Sequence, residues 1–188
     1  YQGFSQSHEN RFSFLGHSGY AVVPSAYVSE DRFLSFGLYY LPQENFFIDV
    51  VRPTSSGGRI MFVNLGFLPF LELNLRLIRP NDFKGLLFNA DQSVSFKLQA
   101  LKETERLPAI AFGLADIASE GENTRLLHST YVAVSKSKAL GDFFLEGTIG
   151  MGGKSLESSN TILQGFFGAV MLRRKNWEVF GELADGMH

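Results

Sequence analysis

The stretch Phe70-Leu71-Glu72-Leu73-Asn74-Leu75-Arg76-Leu77 decides the fold, because apolar and polar residues alternate along it from Leu71 onward. Ser93-Val94-Ser95-Phe96-Lys97-Leu98-Gln99-Ala100 repeats the pattern. Successive side chains of a β-strand point to opposite faces, so each run gives a sheet one apolar face and one face carrying charge. A soluble sandwich hides the apolar face and wets the polar one. A membrane barrel does the reverse, turning the apolar face to lipid and enclosing the polar one.

Working outward, the same alternation and its turn residues predict strands near 32–40, 46–52, 59–67, 70–78, 92–101, 107–116, 126–136, 140–151, 162–173 and 176–184. Gly19 to Val28 reads as an extended stretch broken by Pro24, available as one more first strand. The connections alternate in length: 41–45 is short, 53–58 medium, Leu68-Pro69 very short, 79–91 long, 102–107 short, 117–124 long, 137–139 short, 152–161 long and the turn at Lys175 very short. That rhythm suits an up-and-down barrel with tight turns on the periplasmic side and longer loops outside. The expected fold is therefore all-β, an antiparallel up-and-down transmembrane β-barrel of about 10–12 strands. Residues 1–17 lack any period and read as an N-terminal arm or plug, leaving 18–188 as the barrel domain.

Composition narrows the function classes. The 188 residues carry a net charge of -2 and no cysteine, which removes a basic field for nucleic acid, disulfides and thiolate chemistry. No run of about 18 apolar residues exists to form a transmembrane helix, but barrel strands cross with about 9–11 residues each. Tyr1 follows no signal region, so an exported form would be the mature one. The 19 Phe and 6 Tyr are spread through the alternating segments, as β-structure favours.

Parity assigns the enclosed side to Asn64, Glu72, Asn74, Arg76, Ser95, Lys97, Gln99, Glu146, Glu178 and Glu182. The lipid side receives Leu71, Leu73, Leu75, Leu77, Val94, Phe96, Leu98, Ile110, Phe112, Leu114, Phe143, Leu145 and Ile149. Mixed signs in a narrow interior imply carboxylate-to-cation pairs, since an unpaired charge there is costly. Glu146 and Glu182 as a glycosidase pair would need a cleft and one raised carboxyl, and ion pairing with Arg76 and Lys97 explains inward carboxylates better. Asp116, Lys136 and Trp177 lie at strand ends, at the level of a membrane interface. Tyr20, Tyr27, Tyr39, Tyr40, Phe46, Phe47 and Phe83 join Trp177 as girdle candidates, with sugar stacking as the sharper alternative for Phe83.

Other motifs carry little. His8, His17, His128 and His188 lack metal-ligand spacing and read as surface or interfacial residues. Ser135-Lys136 is no dyad, because neighbours on a strand face opposite ways. Gly152-Gly153-Lys154-Ser155 lacks the earlier glycine and following helix of a phosphate loop and reads as an outer loop. No metal, cofactor or catalysis is expected.

Five patterns occur in order: Val23-Pro24-Ser25-Ala26-Tyr27 with Glu30-Asp31, Asp91 to Leu98, Leu107 to Asp116, Tyr131 to Lys136, and Glu182-Leu183-Ala184-Asp185-Gly186. Together they resemble the YjbH family of outer-membrane proteins associated with exopolysaccharide production. The resemblance implies a bacterial outer-membrane barrel taking part in exopolysaccharide export or assembly. A non-catalytic structural subunit that anchors a larger envelope complex is the alternative. The strand at 176–184 would finish on the outer side, so closure calls for additional strands or a protein partner. The expected contacts are membrane lipid, that partner and polysaccharide, with no nucleic acid.

Overall fold

The computed structural model describes residues 11–42, 57–81, 91–120, 128–154 and 163–185. Within them, nine strands form one antiparallel sheet in chain order: β1 (Leu34–Leu41), β2 (Gly58–Leu68), β3 (Leu71–Pro80), β4 (Asp91–Leu101), β5 (Ala109–Glu120), β6 (Ser129–Leu140), β7 (Phe143–Lys154), β8 (Gly165–Arg174) and β9 (Trp177–Ala184). The count among the described residues falls below the expected ten to twelve, and the strand expected at 46–52 lies outside them. Gly152 and Gly153, read from sequence as loop, belong to β7 and pair with Tyr131 and Thr130.

All the tight connections fall at one end: 69–70, 102–108, 141–142 and 175–176. The long ones, 42–57, 81–90, 121–128 and 155–164, fall at the other. Gly141 opens its two-residue turn at φ 62°, and Lys175 takes the same left-handed conformation at φ 50°. β1 and β9 both run from the tight-turn end to the long-loop end, and each pairs along one edge only among the described residues.

The faces follow the alternation. Glu72, Asn74 and Arg76 of β3 are buried, as are Ser95 and Lys97 of β4, while Leu75 and Leu98 are exposed. The exposed face stays apolar across the sheet, with Phe36 at 73% on β1, Ile149 at 68% on β7 and Leu183 at 75% on β9. This is the inverse of a soluble protein, whose large apolar side chains are mostly covered.

The opposite face is covered by the chain's own residues 11–30. This segment is folded on itself, with bridges Phe12–Ser18 and Gly19–Pro24 and turns closed by Gly16 N to Ser13 O and Tyr20 N to Val23 O. The expected extra strand at 19–28 is therefore not in the sheet; Pro24 and the return at Gly19 shape it as an inner loop. Two consecutive residues reach opposite edges: Arg11 meets Glu178 of β9 at 3.2 Å, and the Phe12 carbonyl accepts Tyr39 Oη of β1 at 2.7 Å. A sheet whose two edges touch neighbouring residues has curled around them.

Candidate functional site

The inner wall is the chemically rich surface of the molecule, and it has two halves. Its β2–β4 half is polar because the strand period places Asn64, Asn74, Ser95 and Glu72 on one face, with Lys97 directly opposite Glu72. Lys97 Nζ stands 3.4 Å from Glu72 Oε1, both side chains fully buried. Ser18 binds both: its hydroxyl donates to Glu72 Oε2 at 2.5 Å, its amide donates to Oε1 at 3.0 Å, and its carbonyl accepts Lys97 Nζ at 2.8 Å. Ser29 donates to the same carboxylate from amide and hydroxyl, at 2.9 and 3.1 Å. Asn64 and Asn74 donate together to the Gly16 carbonyl, and Gln99 to that of Ala26. One carboxylate thus takes four hydrogen bonds and an ammonium, which is what a buried charge requires.

The β5–β8 half is small and apolar. Ala109, Ala111, Gly113 and Ala133 keep the wall thin enough for the inner segment to fit, and Val23, Ala26 and Tyr20 pack there with Tyr131, Phe144, Phe167 and Met171. The enclosed residues expected from parity are all polar and lie on β2, β3, β4, β7 and β9, with none on β5, β6 or β8. Residues such as Ala109 and Met171 point inward just as consistently, against the apolar half of the inner segment.

Towards β9 the wall turns acidic. Glu146 accepts Arg11 Nη2 at 2.6 Å and Tyr20 Oη at 2.9 Å, while Arg11 also meets Glu178. Glu182 accepts the amides of Val22 and Val23 at 3.0–3.1 Å. Glu146 and Glu182 are therefore engaged with the inner segment. Arg11 is a cation that reaches Glu146, and as the only Lys or Arg before Arg32 it was one the strand pattern gave no reason to select.

Asp116 was expected at a strand end, but it lies within β5, fully buried and 3.9 Å from Arg76. The irregular pairing with β4 between Val94 and Phe96 explains this: at φ 58° Asp116 departs from the alternation, donates its amide to Ser95 Oγ, and turns inward beside Ala115. Lys136 bonds the carbonyls of Thr104, Glu105 and Leu107 and meets Glu103 at 3.4 Å, so it fastens the 102–108 turn. Trp177 opens β9 half-exposed, its ring edge-on to Phe143 at 6.4 Å.

Tyr20, Tyr27 and Tyr39 are not girdle residues. Tyr20 and Tyr27 are buried in the inner segment, and all three hydroxyls are used inside, by Glu146, Glu103 and the Phe12 carbonyl. Burial raises the Tyr27 phenol, and its hydrogen bond to Glu103 adds to the shift. At Glu103 burial opposes the charge, yet hydrogen bonds from Tyr27 and Ser137 hold the carboxyl below its usual range. Tyr40 does lie outward and exposed, while Phe46, Phe47 and Phe83 fall outside the described residues.

His17, expected at a surface, is buried against Tyr131 with ring centroids 6.0 Å apart. Burial first, then Lys97 beside it, lowers its pKa to about 3, so it is neutral. Neither ring nitrogen has a hydrogen-bond partner among the described residues. Among those residues no three His, Asp or Glu side chains gather as a metal site. The wall offers hydrogen bonds and apolar patches, and its carboxylates are already hydrogen-bonded or paired.

A family model described as exopolysaccharide biosynthesis protein YbjH matches residues 12–176. The chain belongs to the YjbH family. The match begins at Phe12, so the YjbH unit includes the inner segment together with all of β1 to β8. Membership in the YjbH family implies involvement in exopolysaccharide biosynthesis. Comparison with the curated proteins and with the solved structures gives no match.

Proposed function

We propose that the nine strands are the wall of a β-barrel in the bacterial outer membrane that takes part in exopolysaccharide export or assembly without catalysing a reaction. The observation that carries this reading is the inverted polarity of the sheet. Phe36, Leu38, Ile149, Phe166 and Leu183 stand exposed on one face, while Glu72, Lys97, Asn64 and Glu146 are enclosed on the other. Lipid is the solvent that suits such an outer face. The loop lengths suit the same placement, with connections of two to seven residues at one end and longer ones at the other.

The parallel course of β1 and β9 bears on partners. An antiparallel barrel has an even strand count, and in a membrane an open sheet edge leaves backbone groups without hydrogen bonds. Closing this sheet calls for an odd number of further strands, supplied by additional chain or by a protein partner. Membrane lipid and polysaccharide complete the proposed contacts.

A second reading has its own support. The inner segment fills the wall's concavity, as suits a structural barrel that anchors an envelope complex and conducts nothing. Deleting the gene and restoring it in trans tests the pair: loss of secreted polymer with polymer retained in the periplasm supports export. Unchanged secretion with loss of a co-purifying envelope complex supports the scaffold. Recovery of the protein in the soluble fraction without detergent refutes both.

A further inference from the structure

We infer that the inner wall is a binding track for a polyhydroxylated chain, and that residues 11–30 occupy this track as a displaceable, autoinhibitory segment. The inference rests on the export reading above and names the regulation of that same interior.

The first support is the kind of bond that holds the segment. Apart from Glu146 and Glu178, which meet the Arg11 guanidinium, the wall groups engage a main-chain amide, a main-chain carbonyl or a hydroxyl. Asn64 and Asn74 take the Gly16 carbonyl, Gln99 the Ala26 carbonyl, Ser135 the Ala26 amide at 2.7 Å, and Glu182 two successive amides. These are neutral donors and acceptors, and the hydroxyl groups of a sugar chain can replace each of them. The second support is the division of the wall. A saccharide presents hydroxyl edges and apolar C–H faces, and the track offers a polar half on β2–β4 and an apolar half with Tyr131, Phe144 and Phe167 on β5–β8.

The third support is how the segment is attached. It makes its own turns and bridges, so it is a folded body and not a strand of the sheet. Its C-terminal end joins the wall at the tight-turn end, where Phe33 N bonds Glu30 O and Arg32 N bonds Gly66 O ahead of β1. Withdrawal through that end breaks no strand pairing. Glu72, Glu146 and Glu182, on three different strands, are the anchors that withdrawal must release.

The test uses the full-length protein extracted from outer membranes, with Ala26→Cys and Ser135→Cys joined across the segment and the wall. Heat-modifiable mobility in the membrane fraction reports separately whether the barrel forms, so loss of the membrane reading is distinguishable from loss of the gate. In planar bilayers the oxidised protein is expected to be silent. Reduction should give openings, which maltohexaose or chitohexaose then interrupts. Glu182→Gln, which weakens one anchor, should raise the open fraction several-fold without changing mobility. Conductance by the oxidised form, silence after reduction, or openings that neither oligosaccharide interrupts would each overturn the inference.

Discussion

Glu72 on β3 and Lys97 on β4 are direct cross-strand partners, their charged atoms 3.4 Å apart, with Ser18 of the inner segment bonded to both. The pair belongs to the sheet, yet its hydrogen-bonding capacity is completed by a segment from elsewhere in the chain. Wall and inner segment are therefore one electrostatic unit. Removing either charge leaves the other buried without its counter-charge, which typically costs ~3–5 kcal/mol.

Glu72→Ala is accordingly expected to lose stability on that scale in urea unfolding of the detergent-solubilised protein. Adding Lys97→Ala should recover part of the loss, because no uncompensated charge remains. A double mutant whose loss equals the sum of the two single losses would show that the pair is uncoupled.

Gly66 gives a sharper steric case. A Cβ there would overlap the Glu30 carbonyl oxygen, where the inner segment leaves the interior and turns into β1. Gly66→Ala should displace this crossing and expose residues 11–30 to protease, while Gly181→Ala, with nothing within 4 Å, should stay within about 0.5 kcal/mol of wild type. Limited proteolysis of the two variants side by side measures the difference.

His17 makes the seat of the inner segment sensitive to acid. Its pKa falls from 6.5 to about 3 when the segment is seated, so the released ring binds a proton more readily than the seated one. A lowered pKa means stability that is present above pH 6.5 and lost as pH falls from there towards 3. The loss at pH 5 is about 2 kcal/mol, from 1.36 kcal/mol per unit. Protection factors of the Gly16–Ser18 amides, with the intrinsic pH dependence of exchange divided out, should fall between pH 7 and pH 5, and His17→Phe should flatten the response. Protection factors that stay constant across this range in the wild type would refute the assignment.

From β2 onward, the strand order, the orientation of β3, β4 and β7 and the division into short and long connections were legible in the alternation itself, while the strand expected at 46–52 lies outside the described residues. Parity placed Glu72, Lys97, Asn64 and Glu146 inward because each lies on a strand whose period is unbroken. Asp116 escaped it because the irregular β4–β5 pairing moves it off the alternation, and a periodic pattern carries no mark of such a shift. The inner segment escaped for the opposite reason. A body that fills an interior meets wall on several sides, so Leu15, Val23 and Ala26 are buried without any two-residue period. Its partners are 27 to 167 residues away in the chain, from Phe12 and Tyr39 to Arg11 and Glu178. Local pattern does not carry that information.

The outer face provides the most direct test of the membrane reading. Ile149 lies mid-strand on β7 and is 68% exposed, while Trp177 lies at the very start of β9. If lipid covers this face, the cost of a charge depends on depth: Ile149→Arg should lose ~2–4 kcal/mol and Trp177→Arg no more than about 1. If water covers it, both substitutions touch little and should stay within about 0.5 kcal/mol of wild type. Unfolding of the two variants in lipid vesicles separates these cases, since only a bilayer makes the middle of an exposed strand more sensitive than its end.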